Sequence, residues 1–139
     1  MSNSRSSRTP YDLIEQEKET YLEELTDPDP DWPPDVRAVH KELQSRLFEM
    51  GLKAQSVVDA CGIGDHNIHT RYVHFTGQGI KERILTHRLR FAKRLLAYSN
   101  LPVTKIAFAV GYENPSGFSA TFKRREGCSP SDYKNREEW

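Results

Sequence analysis

The chain has 139 residues, enough for one domain of ordinary size and a short arm. It lacks both a run of about 18 apolar residues to cross a membrane and an apolar stretch near its start to act as a secretory signal, so a cytoplasmic protein with no membrane partner is expected. A net charge of zero hides an asymmetry: residues 1–35 carry three Lys/Arg against ten Asp/Glu, and residues 36–139 carry seventeen against ten, so an acidic head precedes a basic body suited to a polyanion.

Residues 1–10, rich in Ser, Arg, Thr and Pro, are expected to stay disordered. "YDLIEQEKETYLEELT" (11–26) predicts a short helix with a thin apolar stripe of Ile14, Tyr21, Leu22 and Leu25. "DPDPDWPP" (27–34) fits neither helix nor strand interior, because prolines remove donors and push their neighbours extended; the domain boundary falls here. Pro34 then opens a helix over 35–49, with Val36, Val39, Leu43 and Leu47 inward and Gly51 as its stop. Short helices are predicted over 54–61 and 65–75, ended by Gly62 and Gly77. A long helix over 79–98 buries Ile80, Ile84, Leu85, Leu89, Ala92, Leu95 and Leu96, and its Lys and Arg side chains, Arg88 among them, form a solvated face. Helices over 103–110 and 115–126 end at Gly111 and Gly127, and "SPSDYKNR" adds a last turn or two. No alternating strand pattern reaches five residues between turn signals, so the class is all-α.

Two stretches share one logic. "VVDACGIGDHNIHTRYVHFTG" and "IAFAVGYENPSGFSATFKRREG" each run from a short apolar helix into a glycine and a polar break. A second helix follows with two apolar residues four apart, Ile68/Tyr72 or Phe118/Phe122. This is a helix-turn-helix built twice, with Val58 and Ala107 at the helix crossings and Gly62 and Gly111 supplying the turns. The helix between them would span roughly 30 Å. Recognition helices that enter successive major grooves on one DNA face stand about 34 Å apart. The connecting helix is nearly that ruler.

The segment "RLRFAKRLLAYSNLPVTKIAFAVGYENPSGFSATFKRREGCSPSDYKNR" closely resembles the DNA-binding domain of the AraC/XylS family of bacterial transcription regulators. The resemblance rests on Ile106, Ala107, Val110, Gly111, Tyr112, Phe118, Phe122, Lys123, Arg124, Gly127, Ser129, Pro130 and Tyr133, and covers about residues 36–136, more weakly in the first unit. It implies a seven-helix double helix-turn-helix domain over 35–139 behind an acidic, proline-containing arm over 1–34. It also implies a transcription regulator, an activator or a repressor, with double-stranded DNA and RNA polymerase as partners. About 35 residues precede the reader, so either no ligand sensor accompanies it or the chain is a piece of something longer. Three positions depart from the family: Val58 where alanine is frequent, Gly64 where serine often caps the first recognition helix, and Gly117 where a larger residue often stands. Asp65 is the substitute cap. Gly117 costs about 1 kcal/mol of helix stability relative to alanine and lets the helix approach a sugar–phosphate wall closely.

Helix phase selects the DNA-contacting side chains. With Ile68 and Tyr72 inward, His66, His69, Thr70 and Val73 point outward, and imidazoles and a threonine can read base edges. With Phe118 and Phe122 inward, Ser116, Ser119, Ala120 and Lys123 point outward; this set is small and suits phosphate. The candidate set is therefore His66, Asn67, His69, Thr70, Arg71 and Val73 in the first unit, and Lys105, Asn114, Pro115, Ser116, Gly117, Ser119, Ala120, Lys123 and Arg124 in the second. Arg71 suits a phosphate and a carboxylate equally. His66 and His69 have a spacing that could hold a metal, but no third ligand completes a set, so neither metal nor cofactor is expected. Cys61 and Cys128 are expected to be free thiols, and no nucleophile or acid–base pair clusters as an enzyme would need. The alternative is a helical protein-interaction module of the same fold. The acidic head is either a helix docked by Ile14, Tyr21 and Leu25, an arm that pairs two copies into a homodimer, or a cover across the basic face.

Overall fold

The computed structural model describes residues 9–137, with side chains to 136. The disorder expected for the first ten residues falls, for residues 1–8, outside the described range. Eight helices make up the regular structure among the described residues: α1 Pro10–Glu23, α2 Pro34–Ser45, α3 Ala54–Ala60, α4 Ile68–Thr76, α5 Ile80–Tyr98, α6 Val103–Ala109, α7 Pro115–Glu126 and α8 Pro130–Glu137. The last seven follow the proline-rich stretch.

α1 begins where disorder was expected. Thr9 and Asp12 form a capping box: the Asp12 N–H donates to Thr9 Oγ1 and the Thr9 N–H to Asp12 Oδ2, each at 3.1 Å. Pro10 occupies the first turn, where its missing N–H costs nothing. The helix docks through Tyr21, which is 3% exposed. Its ring meets Phe48, His87 and Phe91 at centroid distances of 5.6, 5.8 and 5.5 Å, and its hydroxyl lies 2.7 Å from His87 Nδ1. Leu13, Ile14, Leu22 and Leu25 pack half-buried against the same core, and Glu24 pairs with Arg94 at 2.7 Å.

α2 ends at Ser45, four residues before the expected end at 49, yet Leu47 and Phe48 still turn inward. The turn that follows α2 is held from α5. Arg88, expected on a solvated face, is 6% exposed, and its guanidinium donates to the carbonyls of Leu47, Glu49 and Gly111. α5 is continuous over 19 residues, about 28 Å, and packs against α4, α6 and α8. Around it Ile80, Ile84, Leu89, Phe91, Ala92, Leu95 and Leu96 are buried. α3 and α4 pack on α2, and α7 on α6. A chain of edge-on and tilted rings, Tyr112–Phe118–Phe122–Tyr133, at 5.5, 5.8 and 5.7 Å, seats α7 between the turn before it and α8.

Candidate nucleic-acid interface

Each helix-turn-helix turns on a glycine in the left-handed region. Gly62 has φ +66° and Gly111 +105°, which a side chain with a Cβ rarely adopts. Gly111 is also enclosed: a Cβ there would lie 2.6 Å from Arg88 Cζ. The crossing residues Val58 and Ala107 are buried.

In the first unit the recognition helix α4 starts at Ile68, three residues later than expected. The Asp65 carboxylate accepts the Asn67 N–H at 2.8 Å and the Asp65 carbonyl accepts the Ile68 N–H at 3.2 Å. This local turn captures donors that a helix from 65 would have left open, so His66 and Asn67 sit in the turn rather than on the helix. Ile68 and Tyr72 are buried and His66, Asn67, His69, Thr70 and Val73 are exposed. Arg71 does not stand free. It forms a fork on Asp35, at 2.5 and 3.1 Å, and reaches Asp65 at 3.3 Å. The Arg71 fork holds the Asp35 carboxyl below the usual carboxylate range against its partial desolvation. Of the two roles open to Arg71, the geometry gives the carboxylate one.

His69 has a neighbour that the sequence reading missed. Gln55 on α3 sends Nε2 to Asp59 Oδ1 at 2.8 Å, and its Oε1 lies 3.2 Å from His69 Nε2. The Asp59 carboxylate only accepts, so the amide nitrogen faces it and the amide oxygen faces the imidazole. His69 Nε2 therefore carries the proton, and in the neutral ring Nδ1 is left as an acceptor. The signal was present as a Gln and an Asp four apart on α3, but only the crossing of α3 and α4 brings them to His69.

In the second unit α7 spans the expected residues. Asn114 is its N-cap, with Oδ1 accepting the N–H groups of Ser116 at 2.8 Å and Gly117 at 3.3 Å, and Pro115 follows at the first position. The Asn114 Oδ1 is thus taken up by the helix it opens, while its side chain stays exposed. Ser116, Gly117, Ala120, Lys123 and Arg124 are exposed, Ser119 and Pro115 half-buried, and Lys105 is exposed on α6. A Cβ at Gly117 would meet nothing within 4 Å, so the fold itself does not demand a glycine there. Arg125 pairs with Glu82 at 2.9 Å and Lys93 with Glu126 at 3.1 Å. Lys105, Lys123 and Arg124 make no ion pair among the described residues. Both cysteines are free and half-buried, and burial pushes the Cys61 thiol up. Among the described residues no three His, Cys, Asp or Glu side chains are grouped to hold a metal, and no helix is long and apolar enough to cross a membrane.

Two glycine-turned helix pairs on one long helix define the class: a double helix-turn-helix domain. A helix-turn-helix domain family model matches residues 57–136, more than half of the chain, and the chain belongs to the AraC/XylS family. It is 28% identical over 103 residues to the HTH-type transcriptional regulator GlxA of Rhizobium meliloti (strain 1021), a match covering 74% of this chain and 32% of that protein. It is 29% identical over 85 residues to the xylose operon regulatory protein of Escherichia coli (strain K12), covering 61% of this chain and 22% of the relative. The chain therefore spans a third or less of these relatives. The fold is similar to the C-terminal domain of AraT, a response regulator from Geobacillus stearothermophilus, with a TM-score of 0.71 and 25% identity over 76% of this chain and 88% of that one. It is also similar to the DNA-binding domain of AdpA in complex with a target DNA, with a TM-score of 0.65 and 21% identity over 71% of this chain and 91% of that one.

Proposed function

We propose that the chain is a sequence-specific DNA-binding transcription regulator that lays α4 and α7 into successive major grooves on one face of a duplex. The observation that carries the reading is the pairing of two like-built units on an unbroken 19-residue helix. His69, Thr70 and Val73 supply base-edge readout in the first groove, with His66 and Asn67 at its edge. In the second groove the small face of Ser116, Gly117, Ser119 and Ala120 permits close approach, and the unpaired cations Lys105, Lys123 and Arg124 hold phosphate. Residues 35–139 are the DNA-binding domain and 1–34 an arm docked on it by Tyr21. RNA polymerase is the protein partner that regulation requires, and the cytoplasm the compartment. Because α1 buries its apolar stripe on its own domain, a second copy would meet the arm only at exposed residues such as Tyr11.

Selection of bound duplexes from a random pool tests the reading. The expected product is a two-part site with its halves about one helical turn apart, bound with an affinity that falls steeply as salt rises. A pool that never enriches, together with binding indifferent to salt, would favour the protein-interaction module instead.

A further inference from the structure

The loop over 24–32 leaves a cavity of about 700 Å³ between itself and α2, α4 and α5, lined among others by Trp32, His40, Gln44, Arg83, His87 and Arg90. That volume suits a small organic molecule. Arg83 and Arg90 stand two turns apart on one face of α5, with His87 between them. Neither makes an ion pair among the described residues, whereas Lys93 and Arg94 of the same helix each do. Arg83 donates to the Thr76 carbonyl through Nη2 at 3.1 Å, and its buried Nε finds no hydrogen-bond partner among the described residues. Three carboxylates of the loop, Glu24, Asp27 and Asp29, also line the cavity, but none forms an ion pair with Arg83 or Arg90 among the described residues. Glu24 is engaged by Arg94, Asp29 accepts the Asp31 N–H at 2.9 Å, and both are exposed, as is Asp27.

The two histidines carry the same message. His87 is pushed down to about 4 by burial, then by Arg90, Arg83 and His40. His40 is pushed down to about 4 by burial and by Arg83. At neutral pH both rings are uncharged, and the charges that act on them from within the cavity are the guanidiniums, the carboxylates lying on its exposed loop side. Trp32 adds a flat apolar wall, edge-on to His40 at 5.2 Å. A line of hydrogen bonds joins this cavity to α4. Gln44 Nε2 donates to the Thr26 carbonyl at 2.9 Å and lies 3.2 Å from His40 Nε2, and His40 Nδ1 lies 2.8 Å from the Tyr72 hydroxyl.

We propose that this cavity binds a small carboxylate with a flat apolar body, its carboxylate paired with Arg83 and Arg90 and its body against Trp32. Concave surroundings strengthen the field of two unpaired guanidiniums, and a carboxylate accepts their forked donors while a neutral isostere cannot. The occupied cavity braces the loop against α4 through Thr76 and the His40–Tyr72 bond.

The chain has two tryptophans, so Trp139→Phe makes Trp32 the sole one. This full-length variant is titrated with 3-phenylpropionate, with its neutral amide and with inorganic phosphate, at fixed ionic strength and neutral pH. The expected result is a saturable change in Trp32 emission with the carboxylate, with a Kd of about 1 mM or below, and binding about tenfold weaker for the amide and for phosphate. Arg83→Gln and Arg90→Gln should each weaken the carboxylate about tenfold. Arg83 also supports Thr76, so the exposed Arg90 carries the test if Arg83→Gln unfolds the protein. No saturation up to about 10 mM overturns the proposal. So does amide or phosphate binding as tight as the carboxylate, or an unchanged affinity in Arg90→Gln.

Discussion

Replacing Arg88 by alanine should loosen the frame that both helix-turn-helix units share. Its guanidinium donates Nε to the Leu47 carbonyl at 2.8 Å, Nη1 to Gly111 at 3.1 Å and Nη2 to Glu49 at 2.5 Å. Leu47 and Glu49 lie in the turn after α2, and Gly111 in the turn of the second unit. A buried acceptor left unmatched costs about 1–3 kcal/mol. Two of the three keep another donor, since Gly111 O also takes the Gly51 N–H at 3.1 Å and Glu49 O the Leu52 N–H at 3.2 Å, so the low end applies to them. The lost side chain adds a void, but its own desolvation, which pulls the guanidinium pKa down, is relieved. The net loss is about 3–4 kcal/mol, or roughly 10 °C in Tm for a domain of this size. Urea and thermal unfolding followed by circular dichroism read it directly. Arg88→Met, which keeps the stem, should recover about 1 kcal/mol of packing and no more. A loss below about 1 kcal/mol for Arg88→Ala would refute the view that this one cation ties the two turns together.

Gly111→Ala should cost about 2–4 kcal/mol, from a φ of +105° and a Cβ 2.6 Å from Arg88 Cζ. Combined with Arg88→Ala the loss should be less than the sum, because the clash goes with the guanidinium; strictly additive losses would argue against it. His40 and His87 titrate near 4 when folded and near 6.5 when unfolded, so the unfolded chain binds the extra protons between those values. Stability is then full above about pH 6.5 and falls on acidification towards pH 4, by up to about 2–3 kcal/mol per histidine; a flat denaturation midpoint between pH 7 and 5 would contradict this. His69→Ala should cost about 1–3 kcal/mol at one position of the selected site, where the free Nδ1 acceptor predicts adenine or cytosine, the bases that offer an amino group in the major groove. Lys123→Ala should instead weaken all sequences alike and lower the salt slope by about one; an unchanged motif in His69→Ala would remove α4 from readout. Two residues inserted near Tyr98 should turn the second unit by about 200° and abolish specific binding while each half still folds, so unimpaired specific affinity would mean that the units do not read DNA together.

Local physics carried much of this fold into the sequence. Gly62 and Gly111 announce left-handed turns because few other residues tolerate them, and Phe118 and Phe122 announce the inner face of α7 because residues four apart share a helix face. The absence of proline or internal glycine after Gly79 announces an unbroken α5. Asn114, Pro115 and Gly127 bound α7 by capping rules that act within a few residues. Tertiary structure alone decided what depends on partners distant in the chain. Arg88 looks solvated by charge pattern, yet it is buried because carbonyls 41, 39 and 23 residues away converge on it. Arg71 could have faced phosphate until Asp35, 36 residues earlier, folded beside it. Tyr21 belongs to an arm by composition and to the core by contact, since its hydroxyl finds His87 66 residues on. Periodicity and capping report which side of a helix is apolar and where it starts. Which charged or polar group is buried is set by the donors and acceptors that other segments bring to it, and no short window of sequence contains them.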